Sequence, residues 1–209
     1  MRQNANNEEG TVTLLKVGLM GGTFDPIHYG HLLAAETARE ACGLDEVWFI
    51  PSYQPPLKNG EPEAEGRSRL EMVYRAIDFQ PHFRAMDIEL ERGGVSYSID
   101  TVRALQELYP GRAFSCIVGS DRVNDLPRWH RIEELAQLVD FIGVERPGEP
   151  IEKDRLPAFI SAKLRVARMP QIGISSTDIR ERRAEGRSIR FLVPEKVYSF
   201  IKRNGLYES

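Results

Sequence analysis

An alternation of short apolar runs with helix-forming stretches constrains the fold of this chain more than any other feature. The first run, TLLKVGLM at 13–20, is rich in Leu and Val and stops on Gly21-Gly22, which reads as a buried strand and a break. Residues 29–42 carry apolar side chains at helical spacing among good helix formers, and Gly43 supplies a C-terminal stop. EVWFIP at 46–51 is a second strand. Strand, helix and strand within so few residues form a βαβ unit, and the crossover makes its two strands parallel.

The alternation continues to the end of the chain. SYQPPLKNGEPEAEG, rich in Pro, Gly and Glu, is a long surface loop, and 67–79 is a helix. RAMDIELERGG alternates and ends on Gly-Gly, which predicts a strand and a turn. A helix over 98–108 stops at Pro110-Gly111, and AFSCIVGSD follows as a strand. After a short helix at 132–138, VDFIGVERPG is a strand running into a loop, and AKLRVARM is the last strand. SSTDIRERRAEG and VPEKVYSFIKRN close the chain as two helices. The order predicts an α/β fold with a doubly wound, mostly parallel sheet and a small C-terminal helical part. Residues 1–11 are expected to be a disordered lead, and 12–209 a single domain.

Composition narrows the function. A formal net charge of -3 lacks the basic footprint of a nucleic-acid binder. No apolar run approaches the ~20 residues of a membrane span, and MRQNANNEEG lacks the layout of a signal peptide. Cys42 and Cys116 show no metal or redox spacing and sit among apolar residues, so they read as buried free thiols of a cytoplasmic protein. No sequence feature sets the oligomeric state, and a homo-oligomer is compatible with it.

In open α/β sheets, ligands bind beyond the carboxyl ends of the strands. Five polar loops fall at such ends: Gly21-Gly22-Thr23, the stretch from Pro51 to Lys58, Gly119-Ser120-Asp121, Arg146-Pro147-Gly148 and Ser175-Ser176-Thr177. The first is the sharpest. Glycines bring backbone N–H donors close to a phosphate, and the positive end of the next helix faces the same space. His28 and His31, half of the chain's four histidines, fall on one side of that helix's first turn. Each remaining residue has a plain reading beside the functional one. Ser175 suits a helix cap, since Asp178 follows three places later, although Arg180 one turn on favours an anion site. Trp129 suits a core aromatic or a stacking surface equally. Tyr97 suits packing, Lys58 a solvated charge, and Asp121 a cap. A classical ATPase is disfavoured, because no GxxxxGK[ST] string occurs.

GGTFDPIHYGH resembles the signature of the nucleotidyltransferase superfamily that carries the HxGH motif. PSYQPPLK, SYSIDTVRAL, IVGSDRVNDLPRW, ERPG, ISSTDIR and LVPEKVYSFIKRNGLY extend the resemblance, from about Lys16 to Tyr207, to the bacterial nicotinate-nucleotide adenylyltransferase family. That resemblance implies a Rossmann-like nucleotidyltransferase fold and transfer of AMP from ATP to nicotinate mononucleotide. The products would be deamido-NAD (nicotinate adenine dinucleotide) and pyrophosphate, in NAD biosynthesis. It implies Mg2+ arriving with ATP and no dedicated metal site, consistent with the lack of a carboxylate cluster. By resemblance His28, His31 and Lys58 would be catalytic. Gly21, Gly22, Thr23, Phe24, Gly119 and Asp121 would join the two histidines around ATP, with Ser175, Ser176, Thr177 and Arg180 holding phosphates. Lys58, Tyr97, Thr101, Trp129 and Arg146 would surround the nicotinate nucleotide. One position departs from the family pattern: Leu57 stands where the family's Pro-Pro-His-Lys has its histidine. Transferases of the same superfamily with other acceptor phosphates, a tRNA-ligase fragment and a nucleotide sensor without turnover are the rival readings.

Overall fold

The structure, a computed structural model, describes residues 14–56 and 61–208. The expected 1–11 lead and Lys58 lie outside the described residues. In chain order the elements are β1 (Leu15–Gly22), α1 (Tyr29–Cys42), β2 (Glu46–Pro51), α2 (Gly66–Ile77), β3 (Phe83–Ala85), α3 (Ile88–Arg92), α4 (Ser98–Leu108), β4 (Arg112–Gly119), α5 (Ser120–Val123), α6 (Ile132–Leu138), β5 (Asp140–Glu145), α7 (Ala158–Ser161), β6 (Leu164–Arg168), α8 (Ser176–Ala184) and α9 (Glu195–Arg203). Six strands form one sheet in the order β3-β2-β1-β4-β5-β6, and every pairing is parallel.

Strand alternation divides the core in two. Val47 and Phe49 of β2 enter the cluster beneath α1, α2, α8 and α9, whereas Trp48 and Ile50 enter the one beneath α4, α6 and α7. With both faces covered, the strands read as near-continuous apolar runs rather than alternating ones. Packing is tight where helix meets sheet. A Cβ on Gly18 would lie 2.6 Å from Ile117 Cδ1 and 2.7 Å from Leu44 Cδ1. α1 ends as its glycine demands: Gly43 takes a left-handed φ of 61, and the Leu44 N–H reaches the Arg39 carbonyl at 2.9 Å.

Two differences from the sequence reading have physical causes. β1 does not break at its glycines, because Gly21 and Gly22 stay in register with Ile50 and Pro51 and end the strand without side chains. The expected strand and turn over 84–94 is instead the short β3 followed by the helical α3. An Ile-Glu-Leu-Glu run is too short for its period to decide. The decision falls to Glu89, which is buried and accepts the Thr101 hydroxyl at 2.7 Å. The small helices α5 and α7 lie in stretches too brief to show a pattern.

Neighbouring strands β1 and β4 leave their crossovers in opposite directions, so the strand order reverses between them. Gly22 ends one and Gly119 the other. That reversal opens a crevice at the carboxyl rim, where ligands of such sheets bind.

Candidate active site

A cleft of about 850 Å3 occupies this crevice. Gly21, Gly22, Thr23 and Phe24 line its floor at the end of β1 and just beyond it. The Phe24 ring itself is buried, and a Cβ on Gly22 would strike it at 2.9 Å, so this stretch offers backbone to the cleft. Gly119 and Asp121 line the neighbouring edge after β4. The Asp121 carboxylate lies over Gly119, where a Cβ would meet Oδ1 at 2.7 Å.

His28 is the N-terminal flanking residue of α1, and His31 is its third residue. Their rings stack with centroids 3.8 Å apart, and Phe24 meets His31 edge-on at 5.1 Å. His31 lines the cleft. Its Nδ1 accepts the His28 backbone N–H at 3.3 Å, so its ring proton belongs on Nε2 when the imidazole is neutral. His28 lies deeper, only 4 % exposed, and its Nδ1 has no partner among the described residues. Burial, reinforced by the Arg146 charge, lowers its pKa to about 4, so it is neutral before any anion arrives.

The far side of the cleft is built by α8. Ser176 and Thr177 line it, and the Ser176 hydroxyl donates to the Pro26 carbonyl at 2.9 Å. Ser175 serves as the cap, accepting the Asp178 N–H at 3.1 Å, and is not among the lining residues. Arg180 lines the cleft while its Nη1 donates to the Asp25 carbonyl at 2.9 Å and its Nε to Glu63 at 2.6 Å.

Tyr97, Thr101, Trp129 and Arg146 also line the cleft. The Tyr97 and His130 rings meet at a tilt of 30° with centroids 4.3 Å apart, so Tyr97 faces an aromatic rather than the core alone. Trp129 does both things its setting suggested, packing on the core beneath α4 and lining the cleft. Thr101 is buried, and its hydroxyl donates to Glu89 while accepting both Arg92 Nη groups at 3.1 Å. Thr101 therefore contributes wall and support more than a free hydroxyl. The structure thus brings together every sequence-predicted site residue except Ser175, at the cap, His28, beneath the floor, and Lys58, outside the described residues.

Sequence reasoning missed Glu89, His130, Asp25, Arg69 and Tyr207. Asp25 in an Asp-Pro pair suits ordinary turn chemistry, yet it is 4 % exposed and accepts the Glu63 N–H at 2.8 Å, the Ala64 N–H at 3.2 Å and the Tyr207 hydroxyl at 2.6 Å. Arg69, equally buried, donates to the Thr23 carbonyl at 2.7 Å. Their partners are distant in sequence, so no local signal marks them.

A parallel sheet whose reversal point presents backbone glycines, the His31 imidazole and the start of α8 to one cleft defines a nucleotide-binding protein of the α/β class. The cytidylyltransferase-like family matches residues 19–182. A probable nicotinate-nucleotide adenylyltransferase of Bacillus pumilus is 44 % identical over 194 residues, 93 % of this chain and 99 % of that protein. One from Salinibacter ruber is 45 % identical over 193 residues, 92 % of this chain and 98 % of its own length. In fold, the chain is similar to the nicotinic acid mononucleotide adenylyltransferase of Plasmodium falciparum complexed with NaAD, with a TM-score of 0.76 at 21 % identity. That match covers 92 % of this chain and 97 % of the other. The chain belongs to the cytidylyltransferase-like family and, within it, to the nicotinate-nucleotide adenylyltransferases.

Proposed function

We propose that this chain transfers AMP from ATP to nicotinate mononucleotide, releasing pyrophosphate and forming deamido-NAD for NAD biosynthesis. The observation that carries this reading is the stacked His28–His31 pair at the start of α1, beside the glycine end of β1. An oxygen of the mononucleotide phosphate forms a bond to the α-phosphorus of ATP as the bond to the bridging oxygen of pyrophosphate breaks. That nucleophile is already ionised at neutral pH, so no general base has to remove a proton. Catalysis then rests on placement and on stabilising charge along the leaving polyphosphate. His31 donates from Nε2, and the α1 N-terminus adds its partial positive charge. Polyphosphate beside His28 opposes the burial that keeps it neutral and raises its proton affinity. Ser176, Thr177 and Arg180 form the opposing jaw for phosphates, with Gly119 and Asp121 at the ATP ribose. Tyr97, Trp129, Arg146 and Lys58 hold the acceptor.

No group of three His, Cys, Asp or Glu side chains among the described residues could cage a metal ion. In this reading the divalent cation is Mg2+ arriving with ATP, whose phosphates supply ligands of the kind it prefers. No helix among the described residues is long and apolar enough to cross a membrane. The two buried free thiols support a cytoplasmic setting.

The test is pyrophosphate release and product mass, with ATP or CTP against nicotinate mononucleotide, its amide counterpart and phosphopantetheine. Nicotinate mononucleotide with ATP should give the dinucleotide, and His28→Ala should lower kcat by ~10²–10³ with the fold retained. No product with that pair, or activity only with CTP or phosphopantetheine, would refute the reading.

A further inference from the structure

Two residues other than glycine take left-handed backbone at the two ends of one contact. Phe24 has φ 49 and Tyr207 has φ 62, and the Tyr207 hydroxyl donates to Asp25, the neighbour of Phe24, at 2.6 Å. Bulky residues stay in this region only where their surroundings hold them there. The 23–26 turn is held from outside in this way. Its carbonyls at Thr23, Asp25 and Pro26 accept Arg69, Arg180 and Ser176 side chains at 2.7, 2.9 and 2.9 Å. The Asp25 carboxylate takes two N–H groups from the loop entering α2 and the Tyr207 hydroxyl.

We propose that Tyr207 is a positioning residue for the ATP end of the cleft. Through Asp25 it fixes the 23–26 turn, and with it the start of α1 that carries His28 and His31. The inference rests on the ATP reading given above. Burial of the Tyr207 ring would be satisfied by phenylalanine, so packing alone does not account for its hydroxyl or for its left-handed backbone. Burial and the Asp25 charge hold that hydroxyl well above the usual tyrosine range, so it remains a donor at every working pH. The turn it steadies lines the cleft, whereas Tyr207 does not.

The experiment compares the full chain with Tyr207→Phe and with a packing control, Leu206→Ala, whose side chain rests on the same core. Tyr207→Phe should lower kcat/KM for ATP about tenfold, the scale of one partly transmitted hydrogen bond to a charged group. The acceptor KM should stay within twofold. Leu206→Ala should lower Tm while leaving kcat/KM for ATP within twofold. Equal losses in the two variants, or an unchanged Tyr207→Phe enzyme, would overturn the proposal. A measurement on the unaltered chain covers a Tyr207→Phe variant that does not fold. Coupling is reciprocal, so saturating ATP should slow hydrogen exchange at the Leu206 amide, which bonds the Ile201 carbonyl at 3.1 Å. Unchanged exchange there would overturn it too. If the chain used a different acceptor, no dinucleotide would form, yet ATP titration of the three proteins would still show the Tyr207 effect. A chain that binds no ATP refutes the functional reading itself and removes this proposal with it.

Discussion

Gly30→Ala tests the site through a single carbon. Gly30 is the second residue of α1, and a Cβ there would lie 2.9 Å from His28 Nδ1, 3.0 Å from His28 Cε1 and 3.6 Å from the Ile174 carbonyl. Comfortable contacts of this kind begin near ~3.5 Å, so the ring must retreat by about 0.5 Å. It has little room to do so, since it is 4 % exposed and stacked on His31. Misplacing a catalytic group by ~1 Å costs ~10²-fold, so half that displacement costs about tenfold in kcat. The backbone effect runs the other way, because alanine favours a helix over glycine by ~0.5–1 kcal/mol. Activity should therefore fall about tenfold while the thermal midpoint moves by only a few degrees. Pyrophosphate release kinetics and circular dichroism melting on one preparation supply both numbers. A Gly30→Ala enzyme with unaltered kcat would refute the claim that the position of the His28 ring governs transfer.

Acid should weaken the fold through His28. Its folded pKa of about 4 lies below the ordinary 6.5, so between these values the unfolded chain binds the proton and the folded one does not. This contribution is intact above pH 6.5 and is lost as pH falls, by about 2 kcal/mol between pH 7 and 5. Urea titrations at both pH values should show His28→Asn losing less stability than the parent, and equal losses would contradict the assignment. Trp129→Ala should raise the acceptor KM about tenfold through lost stacking, with the KM for ATP unchanged; steady-state kinetics with each substrate varied would read this. Gly18→Ala overpacks the helix–sheet contact at Ile117 and Leu44 and should cost ~1–3 kcal/mol in a denaturant melt without altering KM for either substrate.

Much of the architecture was legible because each element announces itself locally. Residues 29–42, 46–51, 98–108 and 132–138 form elements with the boundaries their patterns predict. The carboxyl-rim loops were legible for the same reason, as polar and glycine-rich breaks after apolar runs. The Glu89 region was not, because a buried carboxylate chooses its partners across space, from Thr101 and Ser96. Charge state was likewise hidden. Two histidines in one helical turn say nothing of their charge, whereas burial and the Arg146 guanidinium hold His28 neutral. Ser175 and Ser176 look alike in the string SST. A rotation of about 100° per residue along the helix sends one to a cap and the other toward Pro26.

The contact between Asp25 and Tyr207 spans 182 residues. A ribosome making this chain finishes β1, its glycines and both histidines early, at a time when the phenol that secures the turn has not been translated. Domains take shape from the amino terminus during synthesis, yet here the 23–26 turn gains the Tyr207 hydroxyl only after 182 further residues have been added. Nascent chains stalled short of that tyrosine would carry the motif without that hydrogen bond.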